Sequence, residues 1–86
     1  MTGRNQLHTY RLILQTTQSN MAHLMGIALR TYEELEAGRT AIRELHLNAA
    51  RYACIKRVIE VGSGVVALPP DVAADLDQMR EVLEQN

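Results

Sequence analysis

The sequence predicts an all-α chain folded as a compact helical bundle, and three observations carry that prediction. Apolar residues recur three and four apart along most of the chain, as in Leu7, Tyr10, Ile13 and Leu14 or Val72, Leu76, Met79 and Leu83. The punctuation between these stretches is helical: Asn5 and Thr17 stand where N-caps belong, Gly26, Gly38 and Gly62 where helices stop, and Pro69-Pro70-Asp71 where one starts. The composition is 47% apolar, yet it includes only three Tyr and no Phe or Trp, so the interior must be built from aliphatic side chains and the four Met. A chain of 86 residues allows one domain with a limited core.

Taken in order, residues 1–5 are polar, carry Arg4 and read as a frayed end. The Leu7 stripe behind Asn5 predicts a first helix over 6–15. The Thr17 hydroxyl can accept the backbone N–H of Asn20 and so open a second helix, whose inner side is marked by Met21, Ala22, Leu24 and Met25. Gly26 can take the positive φ of a sharp exit. A third helix follows over 28–37. At 100° per residue Ala28, Tyr32 and Leu35 share its inner side, while Arg30, Glu34 and Ala37 face outward. Glu36 borders the inner side, where a carboxylate needs a partner, and the first helix offers Arg11. Gly38 ends this helix, and residues 39–43 form a short basic loop.

From 43 to 61 the pattern is helical again, with two apolar stripes. Leu45, Ala49, Tyr52 and Ile59 form one; Leu47, Ala50, Cys54 and Val58 form the other. So wide an apolar surface exceeds what one small core needs, so part of it is expected to meet a partner chain. Gly62-Ser63-Gly64 reads as a linker and residues 65–68 as an extended connector. A fifth helix follows, starting at Pro70 with Asp71 favoured by the dipole and with an acidic face opposite its apolar stripe.

The net charge of −1 conceals a division. Residues 1–58 hold eight basic side chains against four acidic ones, a balance of +4; residues 59–86 hold Arg80 against six acids, a balance of −5. A polyanion is attracted to the first part and repelled by the second. No run is apolar and long enough to cross a bilayer, and no leader opens the chain, so a cytoplasmic protein without membrane contact is expected. The lone Cys54 rules out an internal disulfide and, with His8, His23 and His46 widely spaced, argues against a metal site. No nucleophile–base pair, phosphate loop or paired-carboxylate site is legible, so neither an enzyme nor a cofactor is expected.

Residues 17–39, TQSNMAHLMGIALRTYEELEAGR, have the outline of a helix-turn-helix: two short helices joined through a glycine turn. This stretch resembles the DNA-binding segment of the XRE/Cro-type regulators, the lambdoid phage repressor-like proteins of phage and prokaryotes. The resemblance is carried by Thr17-Gln18, Met21-Ala22, Gly26-Ile27 and Glu36-Ala37-Gly38-Arg39, and covers about residues 7–43. It implies a lambda repressor-like bundle over 1–61 that binds DNA as a dimer, with 62–86 a linker and an acidic C-terminal helix for dimerisation or partner contact.

By the same resemblance, Leu29, Arg30, Thr31 and Glu34 would read bases in the major groove, and Gln18 and Arg39, with the neighbouring Arg43, would meet phosphates. Arg11 and Glu36 match a structural ion pair. Val72, Leu76, Met79 and Leu83 are the candidate dimerisation residues. The expected function is a sequence-specific transcriptional regulator, a dimeric repressor reading a pseudo-palindromic operator with helix 28–37. The alternative is an antitoxin or protein-inhibitor module acting through its C-terminal half. Three departures from the family stand out. Ala28 replaces a capping Ser or Thr, Ala37 replaces a polar residue, and Glu33 and Glu34 bring negative charge to a surface meant for a polyanion.

Overall fold

The structure, a computed structural model, describes residues 5–62 and 66–85. Arg4 and the linker residues 63–65 lie outside that range. Five helices and no strand are found among the described residues: α1 (Gln6–Ile13), α2 (Gln18–Met25), α3 (Leu29–Glu36), α4 (Glu44–Val61) and α5 (Pro70–Glu84). The all-α class therefore holds, and no helix is long and apolar enough to cross a membrane among the described residues.

The helix ends follow from local chemistry. Asn5 Oδ1 accepts from the backbone N–H of His8 at the start of α1, and Thr17 Oγ1 accepts from that of Asn20 at the start of α2. Each bond satisfies one of the donors that a helix start leaves unpaired. The α2–α3 turn bends at Gly26, φ +78, where the N–H of Ile27 returns to the Ala22 carbonyl. Gly38, φ +82, turns the chain at the end of α3, so that the Arg39 N–H reaches back to Glu34 O. At α4 the Arg43 N–H donates to His46 Nδ1.

Three expectations need correction. α1 stops at Ile13 instead of 15, because Gln15 takes the left-handed conformation at φ +52 and breaks the ladder. Two bonds from α4 stabilise this exit: Arg57 Nε donates to Leu14 O at 3.2 Å and Arg57 Nη2 to Gln15 O at 3.1 Å. Ala28 was expected inside but is exposed: it is the N-cap of α3, in extended backbone, so the 100° step does not reach it.

The third correction concerns Val72, expected at a dimer surface. It is 2% exposed and belongs to this chain's own core. Beside it the Tyr10 hydroxyl donates to Asp71 Oδ2 and accepts from Gln6 Nε2, with Arg51 next to the same phenol. Burial first, then the bond to Asp71, raises the Tyr10 pKa. The start of α5 is thus docked on α1, while every residue from 77 to 85 is exposed.

The core is assembled from Leu7, Tyr10 and Leu14, from Met21, Ala22, Leu24 and Met25, from Tyr32 and Leu35, and from Ala50, Ala53 and Cys54. α2 packs against α3 and α4, and α1 against the same two helices. Complete burial pushes the Cys54 thiol up to about 12, so it stays an inert thiol inside the core. Of the two stripes on α4, the one carrying Ala50 and Cys54 faces inward; Leu45, Tyr52 and Ile59 are left 62%, 60% and 77% exposed.

Removing the Arg57 clamp should cost about 1–3 kcal/mol in urea unfolding of Arg57→Ala, since charge-assisted bonds to two carbonyls are lost. Arg80→Ala, which breaks only an exposed pair with Asp77, should stay within about 0.5 kcal/mol of the parent. Equal losses in the two variants would rule out Arg57 as the cap of α1.

Candidate nucleic-acid interface

The site is built around the inner face of α3. Tyr32, Leu35 and Glu36 recur at three and four residues, and all three are buried. Glu36 is the only charged side chain in the buried set of the described residues, at 8% exposure. Its carboxylate accepts four hydrogen bonds: from Arg11 Nη2 (2.9 Å) and Gln18 Nε2 (2.8 Å) on Oε1, and from Arg11 Nε (2.9 Å) and Tyr32 Oη (2.6 Å) on Oε2. Burial pushes this carboxyl upward; the donors, led by Arg11, more than reverse it and hold it at about 2. The Tyr32 phenol is driven far above its ordinary value, by burial and then by its bond to Glu36, so it remains a donor. Asn5 Nδ2 adds two bonds, to the carbonyls of Leu35 and Glu36.

These bonds fix the rotation of α3. Its outer side carries Leu29 at 42% exposure, the exposed Arg30 and Thr31, and the half-buried Glu34. Arg30 and Glu34 share the outer face, and Leu29 and Thr31 stand on its two flanks. Arg30 Nε lies 3.7 Å from Glu34 Oε2, one turn apart, and with its side chain 87% exposed Arg30 is free to reach outward. Glu33 is exposed beside them. Arg39 and Arg43 are both exposed in the loop that follows, which the Arg39 and Thr40 N–H bonds to Glu34 O fold back on the last turn of α3. An eight-residue helix is about 12 Å long, close to the width of a B-DNA major groove.

Gln18 has a second role beside the expected one. Its carboxamide, expected at a phosphate, is committed to Glu36, with one amide hydrogen and the backbone N–H at the start of α2 remaining. Gln18 thereby becomes part of the anchor of α3. Nothing in its local sequence signals this, because the partner is 18 residues away. Tyr32 carried a better signal: it precedes Glu36 by one turn on the same face. The expected dimerisation residues divide in the same way, Val72 turning inward and Met79 and Leu83 outward.

Arg11→Ala should destabilise by about 3–5 kcal/mol at pH 7, because it leaves a buried carboxylate short of two donors. The folded-state pKa of Glu36 lies below its ordinary 4.5, so the unfolded chain binds the extra proton between about 2 and 4.5. The stabilisation is therefore complete above pH 4.5 and is lost as pH falls towards 2, on the order of 3 kcal/mol in all. Urea titrations from pH 6 to pH 2.5 should show the gap between the parent and Glu36→Gln narrowing with acid; a constant gap contradicts the assignment.

Comparison with known proteins returns no match to a family model, to a curated protein or to a solved structure.

Proposed function

We propose that this chain is a sequence-specific DNA-binding transcriptional regulator of the XRE/Cro type, acting as a dimeric repressor on a pseudo-palindromic operator. One observation supports this above the others: a short helix has its inner face locked by a four-bonded buried carboxylate while Arg30 and the half-buried Glu34 on its outer face, flanked by Leu29 and Thr31, are presented outward. A reading helix needs both properties, since base discrimination demands side chains held in fixed positions on a rigid support.

In this mechanism α3 enters the major groove, and Arg39 and Arg43 meet the phosphates on the flank of the groove, joined by the free donors of Gln18. Arg30 donates its paired N–H groups to O6 and N7 of guanine. Glu34, one turn on, either steadies that guanidinium or accepts from the N4 amine of cytosine. Leu29 meets a thymine methyl, and Thr31 bonds to an adjacent edge or phosphate. Two copies set their α3 helices about 34 Å apart, one turn of duplex. Glu33 and Glu34 repel the backbone, so non-specific affinity is low and discrimination rests on the base contacts.

A second reading is favoured by the exposed acidic run of α5: an antitoxin or inhibitor that grips a protein through this helix, with DNA binding secondary.

Selection from a random duplex pool, followed by affinity measurements across a salt series, tests the proposal. Arg30→Ala should lose about 1–3 kcal/mol at one position of each half-site and relax the preference there. Arg39→Ala should weaken all sequences alike and lower the salt slope by about 1. An unchanged preference in Arg30→Ala overturns the docking. No selected sequence, together with a stoichiometric protein partner, transfers the case to the second reading.

A further inference from the structure

Among the described residues two apolar stripes are left open, and they lie on different helices. On α4, Leu45, Tyr52 and Ile59 are spaced seven apart, so they form one stripe about 21 Å long. Ala50, Ala53 and Cys54, all fully buried, lie on the opposite side of the same helix. The stripe therefore points away from the core, and the described residues of its own chain leave it largely uncovered. Lys56 borders it, with Nζ 4.9 Å from the centre of the Tyr52 ring. On α5, Met79 and Leu83 are 53% and 63% exposed, with Leu76 half-buried behind them.

We propose that the outer stripe of α4 is the receptor for α5 of a second copy, so that the dimer forms by reciprocal exchange: each α5 lies along the α4 of its partner. This deepens the dimer proposed above and rests on it for the two-fold arrangement.

Area is sufficient for a stable dimer when both stripes are covered, and charge favours exchange over self-pairing. The α4 stripe leaves roughly 400 Å² open and the α5 stripe roughly 250 Å², so covering both on each protomer buries roughly 1,300 Å², within the range of a stable interface. A dimer that pairs only α4 with α4 covers about 800 Å², and one that pairs only α5 with α5 about 500 Å², short of the usual range.

Charge distinguishes the pairings. α5 carries Asp71, Asp75, Asp77, Glu81 and Glu84 against Arg80, a balance of −4, so two such helices repel. An antiparallel pair of α4 helices centred on Tyr52 sets Glu44 opposite Glu60 of the partner, since each is eight residues from the centre; a parallel pair sets Lys56 against its own copy. Exchange places the −4 helix beside Lys56, the cation that borders the α4 stripe. The isologous rule is also met, because the same two patches serve on both protomers.

Sedimentation of the full chain without DNA at about 10–100 μM, combined with disulfide trapping, tests the proposal. The expected result is a dimer, weakened at least tenfold by Tyr52→Glu and by Leu83→Asp, with helical circular dichroism retained. An equimolar mixture of Tyr52→Cys and Met79→Cys chains should give the mixed 52–79 disulfide in preference to 52–52 or 79–79, whichever way the two helices run. Cys54 stays out of the exchange because it is fully buried. A monomeric parent overturns the proposal, as does a dimer trapped only through 52–52 or 79–79. The DNA reading fails separately: a dimer that selects no sequence refutes the regulator and leaves the exchange intact, whereas a monomer that still selects half-sites refutes the exchange and the dimer but leaves the DNA-reading helix.

Discussion

The buried carboxylate of Glu36 is the constraint on which the rest of this small structure depends. A purely apolar contact fixes how close two helices come but leaves them able to rotate about their axes. Here both oxygens are engaged from different directions: Arg11 spans the two, Gln18 approaches Oε1 and Tyr32 approaches Oε2. The donors come from α1, α2 and α3, so one functional group joins three helices. The planar fork of Arg11 makes the joint directional, and the low polarity around it makes an incomplete set of donors costly. The outward face of α3 is a consequence of that joint. Its side chains need no packing of their own to hold their azimuth.

The second half of the chain follows a different logic. α4 is apolar on two opposite sides, one spent on the core and the other left open. α5 is fastened at its first turn by Val72 and by the Tyr10–Asp71 bond, and then leaves the body. This arrangement accounts for the division of charge. The acids concentrate on a helix that stands clear of α3, while the basic residues stay with the bundle and the loop that closes α3. A near-neutral total thus conceals two surfaces of opposite character.

What was legible in the sequence was what local rules govern. Helix ends could be read at Asn5, Thr17, Gly26 and Gly38 because a cap or a left-handed glycine acts within four residues of itself. The Arg11–Glu36 pair was legible because a charged residue on the buried side of an amphipathic pattern demands a partner. Two kinds of feature escaped. One is the choice between equivalent faces: periodicity gives both stripes of α4 the same weight, and only the packing of α1 and α2 decides which is inside. Val72 was misassigned for the same reason. The other is the bond between distant polar groups, such as Gln18 to Glu36, Arg57 to the end of α1, or Tyr10 to Asp71. Long polar side chains reach several partners, and their choice depends on the assembled fold. Ala28 was misplaced for a simpler reason, since helical geometry was extended one residue beyond the helix.

The unaided start of α3 has its own consequence. Ala28 offers no side-chain acceptor to the first turn, which holds Leu29 and Arg30, whereas the last turn is pinned by the Glu36 network. The helix is firm at one end and prone to fray at the other. A ligand that seats on this face holds that turn in its helical state, and the entropy lost is the same whether the ligand is the right one or a near miss. Such a cost lowers the affinity of every complex by a common factor while leaving the ranking among ligands untouched.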